Sequence, residues 1–416
     1  MMKKKQAELI SIGNELLAGY TINTNSSFIA QNLLKIGLPV SWISTISDEH
    51  GEIIRALELA NKRADAVIIT GGLGPTPDDI TKNSICEYFD TSLVENSQIL
   101  EDVEKFLANR GLSILESNRG QAMVPVSAEI LRNSVGTAPG LLLKKENTFF
   151  FFTPGVPREM KFLVIEYILP HLSKNLDLPV VQTRLLRTTG IAESRLYETM
   201  KELMSANPEY QIAFLPRHIG VDLRFRLITE KGKDVEAFEN FISEIRKKIQ
   251  KYIFTDREID LEEKLGEILK EKKLSLATAE SFTGGLLSDW ITNIPGSSEY
   301  YFGGHITYNN ESKIKYLGVS SETINTHGAV SKETALEMVR GVRKSFNSDC
   351  AIATTGIAGP GGATSEKAVG LCYIAAISGN QEVVKEFHFG KDREINKMRG
   401  AVAGLELLRR LLLKIS

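Results

Sequence analysis

Cysteine is scarce in this chain, with only Cys86, Cys350 and Cys372 among 416 residues. Three scattered thiols make neither a disulfide framework nor a thiolate metal site, and their scarcity fits a reducing, cytoplasmic setting. Long hydrophobic runs are lacking as well. The most apolar stretches, 149–152 and 411–413, are far too short to span a bilayer. The segment after Lys3, Lys4 and Lys5 is broken by acids and amides, so it does not read as a secretion signal. No charge of one sign dominates: Lys+Arg is 50 against Asp+Glu 52, a net −2. That balance argues against a protein whose main work is coating nucleic acid. No internal repeat and no low-complexity tract is present.

What remains is an ordinary core-forming composition, 42% hydrophobic and 25% charged, in a chain long enough for two or three domains. Residues 8–12, 40–46 and 66–70 read as strands. Residues 26–36 and 52–63 carry helical spacing between them, and 149–152 is a further buried-strand candidate. A β-α-β-α-β rhythm with short connections predicts a doubly wound parallel sheet, with ligands beyond the C-terminal strand ends. The texture changes past Pro170. Strands at 180–188 and 221–229 with helices at 193–204 and 235–252 predict a small α+β domain over 172–255, followed by a charged linker at 254–261. A second α/β rhythm then fills 261–416, with strands at 275–278, 350–355 and 370–377 and a closing helix from about 395 to 413. The predicted organisation is therefore 1–171, 172–255 and 261–416.

In the first domain the run Thr70-Gly71-Gly72-Leu73-Gly74-Pro75-Thr76-Pro77-Asp78-Asp79 follows the third strand. Glycines there let backbone N–H groups approach a phosphate closely. The acids Asp78 and Asp79 beside such a cradle make sense if a divalent cation such as Mg²⁺ intervenes. The alternative is a Gly/Pro turn with ordinary acids at a helix start. Gly13-Asn14-Glu15 and Asn23-Thr24-Asn25 close the first strand at the same end. Glu15 and Asn25 are placed to meet a metal or a ribose, although Asn25 reads equally well as the cap of a helix from Ser26. Thr153-Pro154-Gly155-Val156-Pro157-Arg158-Glu159 puts another turn and a charged pair at a strand end, or simply a helix start with proline first.

The last domain carries Ala279-Glu280-Ser281-Phe282-Thr283-Gly284-Gly285 where a strand meets a helix. Ser281 at that turn is a nucleophile candidate, and the N–H groups of Thr283, Gly284 and Gly285 are suited to receive negative charge. Lys313 lies 32 residues downstream, and a loop 356–362, containing Gly356 and Gly359, ends the strand at 350–355. On spacing alone Ser281 reads as a helix cap and Lys313 as a surface lysine, and His305 and His327 are rival bases.

Together these segments resemble the CinA family of competence/damage-inducible proteins. The resemblance rests on Gly13-Asn14-Glu15-Leu16-Leu17, Gly71 to Thr76 with Asp78-Asp79, and Thr153 to Pro157. In the last domain it rests on Thr278 to Ser281 with Thr283-Gly284-Gly285, Thr307-Tyr308-Asn309, Lys313, His327 to Ser331 and Gly356 to Gly362. It implies a molybdopterin-binding-like domain that hydrolyses ADP-ribose to AMP and ribose 5-phosphate, with Glu15, Asp78 and Asp79 holding the metal. Gly71, Gly72, Gly74, Thr76, Asn25 and Glu159 would contact that substrate. It also implies a metal-free nicotinamide mononucleotide deamidase, with Ser281 as nucleophile, Lys313 as base and Tyr308 beside them. Glu280, Thr283, Gly284, Gly285, Gly356 and Gly359 would line its substrate site, and Arg393 and Arg399 would cradle the phosphate. Position 14 is Asn where many relatives carry Asp or Thr, and position 282 is Phe where they often carry Cys. The middle domain is expected to be a KH-like α+β module without the Gly-x-x-Gly loop that RNA binding needs, a structural spacer or dimerisation element. A homodimer acting on small nucleotides is the implied assembly. The rival readings are a molybdopterin-binding or adenylylating enzyme and a DNA-binding scaffold.

Overall fold

The structure is a computed structural model that describes residues 5–74, 80–113, 116–229 and 234–415. It contains two compact units, Met1–Gln182 with Ile228–Asp234 and Thr183–Leu227 with Val235–Ser416. Among the described residues no helix is long and apolar enough to cross a membrane.

The first unit is built on a six-stranded sheet ordered Val40–Ile46, Ala7–Ile12, Ala66–Thr70, Thr148–Thr153, Gly140–Lys145, Glu129–Leu131. The first four strands are parallel, and the last two add an antiparallel edge that the apolar pattern had not suggested. Strand side chains alternate between faces, and both faces are covered. Val67 and Ile69 pack with Ile53, Leu57, Ile99 and Val103 of helices His50–Arg63 and Ser97–Ala108. Ala66 and Ile68 pack with Ile29 and Leu33 of helix Thr24–Lys35 and with Met160 and Leu163 of helix Pro157–Leu163. This is the expected doubly wound arrangement. Glu8, fully buried on the first strand, is held by Arg63 in two hydrogen bonds of 2.8 and 2.6 Å. The helical stretch continues through a π turn at Val164–Ile168 to Asn175, past the expected boundary at 171. Pro170, which has no N–H to give, sits in the first turn after that widening.

The second unit holds two sheets. The first is ordered Gln211–Pro216, Gly220–Thr229, Val180–Thr189, Ile253–Thr255, and Gln211–Pro216 is a strand that the sequence reading passed over. Helices Glu193–Ala206 and Val235–Ile249 cover one face through Leu196, Met200, Phe238 and Ile245, against Leu223 and Phe225. The expected linker at 254–261 is tied down at both ends. Ile253–Thr255 pairs with Val180–Thr189, and Asp260 meets the buried Arg187 at 2.8 Å. Arg187 also donates to Asp222 Oδ1 at 2.9 Å and to the Ile259 carbonyl at 2.6 Å.

The other sheet is ordered Tyr301–Ile306, Leu276–Glu280, Cys350–Gly356, Leu371–Ser378, Gln381–His388. The first three strands are parallel and the last two antiparallel. Helices Leu261–Lys272, Leu286–Thr292 and Arg393–Leu413 cover one face, and Lys332–Phe346 the other. Cys350 and Cys372 are buried here as expected, and burial pushes the Cys372 thiol up to about 12, which leaves it inert.

Removing one member of the Arg187 cluster leaves its guanidinium buried without full compensation. Asp222→Ala is therefore expected to cost about 3 kcal/mol or more of unfolding free energy by urea denaturation. A loss under about 0.5 kcal/mol, the scale of an ordinary surface change, would contradict that account.

Candidate functional site

Three parallel strands, Tyr301–Ile306, Leu276–Glu280 and Cys350–Gly356, end on the same side of their sheet, so the loops that follow start together. Two backbone bonds join them: Ser281 N–H to the Thr354 carbonyl at 3.0 Å, and Thr307 N–H to the Glu280 carbonyl at 2.8 Å. Helix Asn310–Leu317, capped by Asn309 accepting from Ser312 N–H, starts three residues after Thr307 and carries Lys313 in its first turn. Lys313 is 1% exposed and points back into the loops. Its Nζ lies 3.0 Å from Ser281 Oγ, 2.8 Å from the Thr307 carbonyl and 3.5 Å from the Tyr308 carbonyl. Burial alone pushes its pKa down from 10.5 to about 8. A lysine amine is thus poised to take a proton from a serine hydroxyl, and the surface-lysine reading is wrong. The rival bases are elsewhere: His305 bonds Ser345 Oγ at 3.0 Å and stacks on Tyr316, and His327 faces Glu333 at 3.9 Å.

Several of the expected ligand contacts are structural instead. Glu280 is fully buried, and its carboxylate fills the N-terminus of helix Leu286–Thr292. It accepts from Gly285 and Leu287 N–H through Oε2, and from Ser288 N–H and Oγ–H through Oε1, at 2.5 to 3.1 Å. Gly285 N–H is consumed in this way, and Gly284 N–H donates to the Ser281 carbonyl at 3.1 Å. The Thr283 side chain is buried against Thr354, 2.8 Å away. The Gly284 and Gly285 amides, expected to receive negative charge, are thus already bonded within the turn. The Phe282 and Thr283 amides, by contrast, make no hydrogen bond among the described residues. Gly356 is required by packing, since a Cβ there would come within 2.4 Å of Cys372 Cβ.

Arg393 donates to the Gly359 carbonyl at 2.7 Å and to the Tyr308 hydroxyl at 2.6 Å, which ties two of the loops to the C-terminal helix. The Tyr308 side chain is exposed, and its hydroxyl is engaged by that arginine. Arg399 belongs elsewhere. Six residues after Arg393 it is turned about 240° around the helix, and it lines a different cavity. The residue that shares the face of Arg393 is Lys397, one turn on, whose Nζ lies 3.5 Å from where a Cβ on Gly284 would be. Sequence reading missed it, although the i, i+4 spacing was the available signal.

In the first unit a cavity of about 920 Å³ opens beyond the parallel strands. Gly71, Gly72, Gly74, Asn25, Glu15 and Glu159 all line it, with Gly13, Asp48 and Gln121. Gly71 has φ +99°, and a Cβ on it would lie 2.2 Å from the Ile12 carbonyl oxygen, so this turn requires glycine. The helix cap is Asn23, which accepts from Ser26 N–H at 3.1 Å, and not Asn25. Asn25 is held instead by donating to the Gly155 carbonyl at 2.8 Å, and its Oδ1 is buried without a partner among the described residues. Gln121 Oε1 likewise has none among them. Glu159 accepts from Asn133 Nδ2, and burial raises its pKa. Thr76, Asp78 and Asp79 lie outside the described residues. Among those described, no three His, Cys, Asp or Glu side chains form a metal-holding group. The donor chemistry still suits a hard cation, since Asn25 Oδ1, Gln121 Oε1, Glu15 and Asp48 offer oxygen only.

Three family models match the chain in succession: a probable molybdopterin binding domain over 8–174, the damage-inducible protein CinA KH domain over 183–255, and the CinA C-terminal domain over 258–412. A protein of Caldicellulosiruptor saccharolyticus named for competence-damage inducibility is 40% identical over 98% of this chain and 99% of its own length. A CinA-like protein of Chloroherpeton thalassium is 42% identical over 98% and 99%. The crystal structure of the competence/damage inducible protein CihA from Agrobacterium tumefaciens matches 36% of this chain and 93% of its own at 38% identity, with a TM-score of 0.36.

The lowered pKa of Lys313 has a consequence for stability. Between pH 8 and 10.5 the folded protein has lost that proton while the unfolded chain keeps it, so stability gains with rising pH across this window. Urea unfolding of the native protein and of Lys313→Met, compared at pH 7.5 and pH 10, is expected to show the difference moving in favour of the native protein at the higher pH. A difference that stays constant would show that Lys313 titrates as an ordinary lysine.

Proposed function

The chain belongs to the CinA family of competence/damage-inducible proteins along its whole length, and from that premise we propose that it is a hydrolase with two nucleotide sites. One deamidates nicotinamide mononucleotide to nicotinate mononucleotide and ammonia. The other, dependent on a divalent metal, splits ADP-ribose into AMP and ribose 5-phosphate. The observation that carries the first activity is the 3.0 Å contact between a buried Lys313 amine and Ser281 Oγ.

In this reading neutral Lys313 takes the Ser281 proton as Oγ attacks the carboxamide carbon. The resulting oxyanion is met by the unengaged Phe282 and Thr283 amides, the position next to a nucleophile where such donors are effective. Lys313, now an ammonium, returns the proton to the amide nitrogen, which leaves as ammonia. The nicotinoyl ester on Ser281 is then opened by a water that gives its proton to Lys313, and Ser281 recovers its own. The Thr307 and Tyr308 carbonyls stabilise the ammonium between these transfers. Arg393 and Lys397 supply the cationic side of the pocket for the 5′-phosphate. No metal enters this chemistry.

In the N-terminal cavity Glu15 and Asp48, with the orphaned Asn25 and Gln121 oxygens, are the described residues suited to hold a divalent cation, and Asp78 and Asp79 are the remaining candidates. Such a cation neutralises diphosphate charge and acidifies water. The glycine turn 71–74 lets the backbone approach the diphosphate. A pterin phosphate is the competing occupant of this cavity, and the match to a probable molybdopterin binding domain favours keeping it in the assay.

Ser281→Ala is expected to lower ammonia release from nicotinamide mononucleotide by about 10³-fold or more while AMP release from ADP-ribose continues. EDTA is expected to do the reverse. Retained deamidation in that variant would overturn the nucleophile assignment. Lys313→Arg is expected to be as inactive, since a guanidinium does not deprotonate. For the native enzyme kcat/KM is expected to rise with pH to a plateau above about 8.

A further inference from the structure

Neither proposed reaction uses a second cavity in the Thr183–Ser416 unit, about 660 Å³ in volume, between the four-stranded sheet and the C-terminal helix. One wall is apolar and aromatic. Phe387 and Phe389, half-buried, stack on each other at 5.6 Å and 29°, above Val402 and Leu407 of helix Arg393–Leu413. Tyr252 adds a third ring from the sheet side. Around these rings stand five cationic side chains against two carboxylates, Glu193 and Glu406.

The partners of these charges decide what the cavity can take. Glu406 is committed to Arg409 and Arg410 at 2.6 to 3.0 Å, so it does not neutralise a third cation. Arg217 is paired with Asp222 at 2.9 Å, and Lys251 lies 5.2 Å from the Tyr252 ring centre. Arg399 and Lys385 have no carboxylate partner among the described residues, and both are exposed at the aromatic wall. Unneutralised cations beside stacked rings suit a ligand that is planar at one end and anionic at the other. The volume is that of a small-molecule site and not of a channel for a polymer. The net charge of −2 adds no bulk attraction for a nucleic acid.

We propose that this cleft binds a small phosphorylated nucleotide, its base against Phe387 and Phe389 and its phosphate on Arg399 and Lys385. The site is separate from Ser281. Arg399 and Glu406 face it from the C-terminal helix, while Arg393 and Lys397 on the same helix face the catalytic loops. One 21-residue helix therefore touches both ligands.

The chain has two tryptophans, Trp42 and Trp290, and the Trp290 ring lies 5.6 Å from that of His218, which lines the cleft. Full-length protein carrying Trp42→Phe thus reports on the cleft through Trp290 fluorescence. Titration with AMP is expected to give a saturable change in the micromolar range. Adenosine alone and inorganic phosphate alone are each expected to bind at least about tenfold more weakly, since each engages one end of the cleft only. Arg399→Ala with Lys385→Ala is expected to weaken AMP about tenfold or more. Both side chains are exposed, so an unchanged thermal midpoint verifies the fold, and Arg399→Glu alone gives an independent reading of the same loss. Lys397→Ala, at the catalytic mouth, is expected to leave AMP affinity unchanged, which separates this proposal from the deamidase reading. No saturable signal, equal affinity in the double variant, loss in Lys397→Ala instead, or binding of a single-stranded oligonucleotide in place of AMP would each overturn it.

Discussion

A lysine ammonium taken out of water without a carboxylate among the described residues to meet it is the constraint on which the candidate site of the C-terminal domain depends. Lys313 is 1% exposed, and among the described residues its Nζ is met only by Ser281 Oγ and by backbone carbonyls. A carboxylate in that position would have fixed the charge and raised the pKa, leaving no base. Carbonyl dipoles satisfy the hydrogens of the ammonium without suppressing its loss of a proton. The fold therefore holds a group that is costly to bury and uses that cost as chemical readiness.

Everything around this contact serves to keep it in place. The parallel strands deliver the Ser281 and Thr307 loops to one edge, and two interstrand backbone bonds lock them there. Glu280 closes the turn from beneath by capping the next helix, so its charge is spent on Gly285, Leu287 and Ser288 and does not reach Lys313. A carboxylate one residue from Ser281 is compatible with a neutral lysine because it is engaged elsewhere. Gly400 allows the Phe282 ring to seat against the C-terminal helix, where a Cβ would come within 2.2 Å of the ring. Arg393 then ties that helix to the Tyr308 and Gly359 loops.

The sequence made much of this legible, but unevenly. Strand Ala66–Thr70 was readable residue for residue because an uninterrupted apolar run between polar boundaries has few other fates. The edge strands Glu129–Leu131, Gln211–Pro216 and Gln381–His388 were not, since they are short or half-exposed and lack an apolar signature. The pairing of Ser281 with Lys313 came from family resemblance, because 32 residues of separation say nothing about contact. Asn25 was read as a possible cap when Asn23, two residues earlier, does that work and leaves Asn25 facing a cavity. Glu280 defeated sequence reasoning because its role depends on how the chain curls over the following eight residues. Arg399 and Lys397 were distinguishable in principle, since 100° per residue separates their faces.

If the buried amine is the centre of the account, its protonation is the quantity to measure. Lysine side chains labelled with ¹³C at Cε can be followed by NMR across a pH titration, with the Lys313 resonance identified by its absence in Lys313→Met. The account predicts a titration midpoint at about 8. A midpoint near 10.4, where an unperturbed lysine titrates, would mean that Lys313 is a charged structural lysine and that Ser281 has no base.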